Sequence, residues 1–238
     1  MVVMHGKGGA PNGYVQGLAS FLQDKGCLVA NLEMPWSGRR SYDADVAGAE
    51  KEVEAALEGL KAKGAQKLFV AGHSQGGLFA LYFGTRHALD GIIAIAPGGS
   101  SGAPVFRQKL GPSYERAQAL VAQGKGAEKE RFQDFEGGRG TYPVIVAPAS
   151  YVTWFDPEGA MNQANAVKNM KPQTPVLYIA PSGDYPALQR VKGEMFGALP
   201  RHPLTRLYEP SASHLEAPAA SSEEILKWIS QVSTQRSP

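Results

Sequence analysis

Cysteine is nearly absent: Cys27 is the only one in 238 residues. No intrachain disulfide can form, and no Cys/His spacing matches a zinc site, so no metal is expected. Cys27 lies in an apolar run and reads as a small buried residue. An excess of one charge is lacking too. Lys and Arg number 24 against 22 Asp and Glu, a net charge of +2, with no basic run. That balance argues against nucleic acid as a partner. No apolar run reaches the length of a membrane span. No signal peptide is visible, because the first residues lack a charged region followed by an apolar one. Internal repeats are also absent. What remains is an ordinary globular composition, 43% hydrophobic and 19% charged, on a length that suits one sizeable core.

The chain is organised around Lys67 to Phe83, KLFVAGHSQGGLFALYF. It reads as a buried strand, a glycine-rich turn and an apolar helix from Gly77. The turn Gly72-His73-Ser74-Gln75-Gly76 matches G-x-S-x-G. In a nucleophile elbow such a turn is tight, and glycines on either side avoid the clash a Cβ would make. The Gln75 amide, at the helix N-terminus, then points at the space where an oxyanion would form. Chance gives the pentapeptide to roughly one chain in five, so context decides. A second match, Gly98-Gly99-Ser100-Ser101-Gly102, is followed by Ala103-Pro104 instead of an apolar helix and reads as a flexible loop.

Apolar runs predict strands near 1–4, 27–32, 67–71, 92–96, 176–180 and 204–208, a sheet of about six. Helical spacing separates them. Val15, Leu18, Phe21 and Leu22 share one face after a cap at Asn12, and Val46, Ala49, Val53, Ala56, Leu57 and Leu60 share another. A further helix spans about 187–199. The last starts with Ser221-x-x-Glu224, a capping-box pattern, and buries Ile225, Trp228 and Ile229. Between about Pro97 and Thr174 the alternation stops. That span offers a short amphipathic helix near 113–122, a glycine-rich loop at 137–140 and an aromatic stretch from Tyr142 to Phe155.

Strands alternating with helices argue for a mostly parallel sheet covered on both faces, an α/β class. Ligands of such sheets sit at the carboxyl ends of strands. Four polar clusters fall there: His5-Gly6-Lys7, Ser74, Ser182-Gly183-Asp184 and Ser213-His214. Asp156, in Trp154-Phe155-Asp156-Pro157, rivals Asp184 as an acid, but Asp-Pro favours a turn.

On these residues the chain resembles the α/β-hydrolase superfamily, close to its serine esterases and lipases. His5-Gly6 resembles the family's HG oxyanion loop, Gly72 to Gly77 its elbow, and Val176 to Asp184 the strand and turn that deliver its acid. Ser213-His214 stands where its histidine does. The resemblance implies a cofactor-independent hydrolase with Ser74 as nucleophile, His214 as base and Asp184 as the group that holds the imidazole. It also implies an oxyanion hole from the amides of Lys7 and Gln75, with Gly8 as a substitute for Lys7. The chemistry agrees, since a serine hydroxyl needs a base within hydrogen-bond reach. Residues 98–174 resemble the family's cap insertion, with Tyr151, Trp154 and Phe155 expected as substrate-binding wall.

The function implied is hydrolysis of carboxylic esters. A thioesterase or amidase would use the same residues, and a non-catalytic binding member of the fold is the alternative outside enzymes. A nucleotide-binding protein is ruled out because Gly6-Lys7-Gly8-Gly9 fits no phosphate-loop pattern. The family also places two strands before the one that begins here at Met1. The strand at 27–32 is then expected at the sheet edge, exposed for pairing, which suggests either a truncated chain or a homodimer through that edge.

Overall fold

A computed structural model describes residues 1–234. Six parallel strands form one sheet: β1 (Val2–Met4), β2 (Ala30–Leu32), β3 (Phe69–His73), β4 (Gly91–Ile95), β7 (Val176–Ile179) and β8 (Arg206–Tyr208). Their order is β2-β1-β3-β4-β7-β8. Strands apolar at every position bury both faces, and two cores result. Val2, Met4, Val70, Ile92 and Ala94 pack on one side, under α2 (Val46–Ala62) and α3 (Gln75–Arg86). Val3, Ala71, Ile93, Ile95 and Leu177 pack on the other, under α1 (Gln16–Asp24) and α9 (Ser222–Thr234). No helix among the described residues is long and apolar enough to cross a membrane.

The segment between β4 and β7 packs on the first core. It holds α4 (Pro104–Ala122), an antiparallel hairpin of β5 (Glu130–Glu136) and β6 (Gly140–Val146), α5 (Pro148–Phe155) and α6 (Gln163–Lys168). The hairpin lacks a periodic apolar signal because β5 buries Phe132 and Asp134 on the same side. The glycine-rich loop is its turn. A helix does follow the second G-x-S-x-G, since α4 starts at Pro104. Its exposed first turns hide the periodicity. After β7 come α7 (Pro186–Gly197) and, beyond β8, the short α8 (Ala217–Ala220).

Three local expectations are corrected. The edge strand covers only Ala30–Leu32; a short edge is one way a sheet limits unwanted pairing. The first helix starts at Gln16 behind Val15, without a side-chain cap from Asn12. The capping box at Ser221 does not form. Ser221 keeps helical dihedrals as the end of α8, so its hydroxyl is buried without a partner among the described residues. Glu224 pairs with Arg206 instead, at 2.5 Å.

Candidate active site

Strand β3 runs into a turn with Ser74 at φ 55°, ψ −117°. A side-chain-bearing residue in that region costs on the order of 1–3 kcal/mol and persists only where its surroundings hold it. Here they do. The Ser74 amide donates to Ile95 O at 2.8 Å, and Ser74 O accepts from the Gly98 amide at 3.1 Å. Gly72 cannot be exchanged, because a Cβ there would overlap the Gly76 carbonyl. Gln75 opens α3, so its amide has no acceptor within the helix.

The pairing of β7 with β8 continues past both strands. Ser182 N donates to Pro210 O at 2.9 Å and Gly183 N to Ala212 O at 3.0 Å. A Cβ on Gly183 would stand 2.9 Å from Ala212 O, so this close approach needs glycine. It brings Asp184 beside His214. His214 Nδ1 donates to Asp184 Oδ1 at 2.6 Å, with side chains 7% and 3% exposed. A carboxylate partner sets the tautomer and leaves Nε2 free to accept a proton. Asp184 Oδ1 also accepts from the Tyr185 amide at 2.7 Å. The Tyr185 ring lies against His214, centroids 4.5 Å apart.

His73 supports His214 from below. Its Nε2 donates to the His214 carbonyl at 2.9 Å. Burial, and then the neighbouring His214, push its pKa down to about 3. It stays neutral and adds no competing cation. Only its place beside Ser74 could have flagged this role. No hydrogen bond joins Ser74 Oγ to His214 among the described residues, but both line one cavity. Such bonds are often long before substrate binds.

The loop after β1 supplies a second edge of the cavity. His5 Nδ1 donates to Gly6 O at 2.8 Å, and Nε2 accepts from the Met34 amide at 3.0 Å. An accepting Nε2 requires the neutral imidazole, in keeping with burial lowering its pKa. The Gly8 amide is taken by Trp36 O at 2.9 Å. The Lys7 amide has no acceptor among the described residues, so of the two it is the one available to an oxyanion. The Lys7 side chain turns away and bonds Asp134 Oδ1 at 2.5 Å and Phe135 O at 3.2 Å.

The cavity, about 260 Å³, is lined by Ser74, His214, Lys7 and Gln75, with an apolar wall from Val105, Phe106, Phe135, Tyr185 and Leu188. Tyr151, Trp154 and Phe155 do not line it, contrary to expectation. They are 0%, 2% and 6% exposed and lie in the core. Tyr151 stacks on Phe132 and Phe155, and Trp154 packs edge-on against Trp36. Their periodicity on α5 marks a buried face, and only the tertiary fold decides what it is buried against. A second cavity of about 320 Å³ meets the first at Ser74 and His214, lined by Gly8, Gly9, Tyr14 and Leu215. Glu136 lines both. Ser100 Oγ accepts from the Gln163 amide at 3.1 Å, and Asp156 Oδ1 accepts from the Glu158 amide at 2.9 Å. Both oxygens are occupied by backbone amides, and neither residue lines the cavity that holds His214.

The fold has relatives among solved structures. A monoacylglycerol lipase from Paleococcus ferrophilus superposes with a TM-score of 0.65 at 20% identity, over 97% of this chain and 94% of that one. The alpha/beta hydrolase GrgF from Penicillium sp. sh18 gives 0.70 at 15%, over 97% and 88%. Est1E from Butyrivibrio proteoclasticus, with ferulic acid bound, gives 0.64 at 14%, over 98% and 89%. At these identities the likeness is one of fold. No curated protein matches the chain in sequence. Residues 1–225, however, match the sequence profile of the Alpha/beta hydrolase family, and the chain belongs to that family.

Proposed function

We propose that the protein is a serine hydrolase that cleaves carboxylic esters through an acyl-enzyme. The observation that carries this reading is the buried 2.6 Å bond from His214 to Asp184 in the cavity that also holds Ser74 on its left-handed turn. A base oriented by a carboxylate beside a serine raised on an elbow is what acyl transfer requires.

His214 Nε2 takes the proton of Ser74 Oγ as Oγ bonds to the ester carbonyl carbon. The carbonyl π electrons move to oxygen, and the amides of Lys7 and Gln75 stabilise that oxyanion. One such donor contributes about 10²–10³ in rate. When the tetrahedral adduct collapses, the carbon–oxygen bond to the alcohol breaks, and His214 gives its proton to the departing oxygen. Water then attacks the acyl-enzyme with the same base, releasing the acid and restoring Ser74.

Residues 98–174 act as a cap that supplies Val105, Phe106 and Phe135 to the apolar wall. An uncharged ester with a modest apolar acyl or aryl part suits that wall. A carboxylate-bearing substrate is disfavoured, because Lys7 is already paired with Asp134 and the acidic residue Glu136 lines the cavity.

Labelling with a fluorophosphonate tests the reading. Wild type should be labelled at Ser74, and Ser74→Ala should lose labelling and at least ~10³-fold of p-nitrophenyl ester hydrolysis while keeping its fold. Ser100→Ala should stay within about twofold of wild type. The opposite pattern for the two serines would overturn the assignment.

A further inference from the structure

Asp134 is a buried carboxylate that the chemistry above does not use. It lies on β5 and is 1% exposed, at the wall of a separate cavity of about 300 Å³. Four donors surround it: Lys7 Nζ at 2.5 Å, the Phe135 amide at 2.6 Å, Tyr42 Oη at 2.8 Å and Tyr142 Oη at 3.0 Å. That fills a carboxylate's capacity of about four acceptor sites.

Two of the four lead to the site. Lys7 carries one of the two amides proposed for the oxyanion hole. Tyr42 Oη stands 3.5 Å from Gln75 Oε1, and Gln75 carries the other amide. The single Tyr42 hydroxyl proton goes to Asp134, so the carboxylate bonds the Lys7 side chain directly, and the tyrosine it fixes packs against the Gln75 side chain.

Tyr42 is itself held in a costly shape. Ser41 and Tyr42 have φ of 49° and 59°, two successive left-handed residues that are not glycine. Bulky residues adopt this region only where neighbours enforce it. The Tyr42 amide donates to Pro35 O at 2.6 Å, its carbonyl accepts from Ser150 Oγ at 2.7 Å, and its ring packs on Phe155 at 5.3 Å. Burial of the pair is weak evidence that the cluster serves stability, since a buried ion pair is often replaceable by apolar residues without loss.

We propose that Asp134 is a positioning residue of the oxyanion hole: from the β5–β6 hairpin it ties down Lys7 and Tyr42, so that the amides of Lys7 and Gln75 converge beside Ser74. This rests on the serine-hydrolase reading. It makes the hairpin and the hole one mechanical unit, although the hairpin contributes no amide to the hole.

The test uses wild type, Asp134→Asn and the double variant Lys7→Met/Asp134→Leu, which leaves no unpaired buried charge. An alkylboronic acid serves as the probe, because its serine adduct places an oxygen in the hole. Fluorophosphonate labelling of the wild type comes first. Both variants should retain native circular dichroism. Their kcat should fall by about 10–100-fold, less than the loss of a donor outright, with KM within about threefold. The boronate inhibition constant should rise by the factor that kcat/KM falls, while binding of an unreactive ether analogue stays unchanged. Tyr42→Phe, which cuts one arm, should show the same split with a smaller drop. A folded double variant with kcat and boronate affinity within about twofold of wild type would overturn the proposal alone. Failure of the wild type to label at Ser74 would overturn the serine-hydrolase reading and this proposal together.

Discussion

The β3–α3 turn and the β5–β6 hairpin both shape the cavity, and they are held in different ways. At the turn, backbone bonds to Ile95 and Gly98 and the Gly72–Gly76 contact fix Ser74. At the hairpin, side chains do the work. Tyr151 Oη donates to Gln133 O at 2.7 Å, Phe132 stacks on Tyr151 with centroids 4.6 Å apart, and Asp134 gathers its four donors. A backbone-held element is most sensitive to glycine replacement and less so to side-chain truncation around it. A side-chain-held element is sensitive to single truncations far from the chemistry.

The largest expected effect lies on the strand-end side of this comparison. Asp184→Asn should lower kcat by about 10³–10⁴, since the imidazole would lose the partner that sets its tautomer. Asp156→Asn should change activity by no more than about twofold, its carboxylate serving a turn. Steady-state kinetics on a short p-nitrophenyl ester checks both, and comparable kcat for Asp184→Asn and wild type would remove the role given to Asp184.

Next in size is a truncation in the insertion. Trp154 packs on Trp36 and Phe79 at 5.5 and 5.7 Å and donates to Ala44 O at 2.8 Å. Trp154→Ala should cost about 3–5 kcal/mol of stability, read as a melting point lower by roughly 10 °C. The protein that remains folded should keep its kcat/KM. Phe106→Ala should do the reverse, lowering kcat/KM for longer acyl esters and leaving the melting point within a few degrees, because Phe106 lines the cavity. If Trp154→Ala changed acyl preference with no loss of stability, Trp154 would have to be moved back to the substrate wall.

The smallest effect concerns acid. His73 has its pKa pushed down to about 3 by burial, against about 6.5 in an unfolded chain. Between these values the unfolded state binds the extra proton and the folded state does not, so stability rises with pH there and is lost as pH falls from about 6.5 towards 3. His5, also lowered by burial, acts with the same sign. His73→Gln, which retains a donor for the His214 carbonyl, should flatten the fall of melting temperature across that window. An unchanged slope would show that His73 does not carry the acid sensitivity.

Much of this architecture is legible without coordinates, for local reasons. A strand apolar at every position is buried on both faces, which argues for a parallel sheet. Parallel strands expose their carboxyl ends together, so the polar residues after β1, β3, β7 and β8 are expected to meet. The edge position of β2 is an expectation from the family resemblance, and the strand order bears it out. What was hidden is equally physical. The start of α4 carries no amphipathic period because its first turns are exposed, and β5 spends a core position on Asp134. The Ser221 capping box looked sound, but helical dihedrals inherited from α8 turned its hydroxyl away.

Composition and pattern by themselves determined the α/β class, the six strands of the main sheet and the strand-turn-helix order around Ser74, because each depends on neighbours a few residues apart; they did not show that a helix follows Ser100 as well. They could not assign α5's aromatics to core or cavity, nor choose between the Lys7 and Gly8 amides. Those depend on what the folded chain brings alongside, such as Trp36 O at the Gly8 amide. Lys7 and Asp134 are 127 positions apart in sequence. Their pairing depends on the tertiary packing that lays the hairpin against the loop after β1 and leaves the two side chains 8% and 1% exposed, and no local pattern encodes that packing.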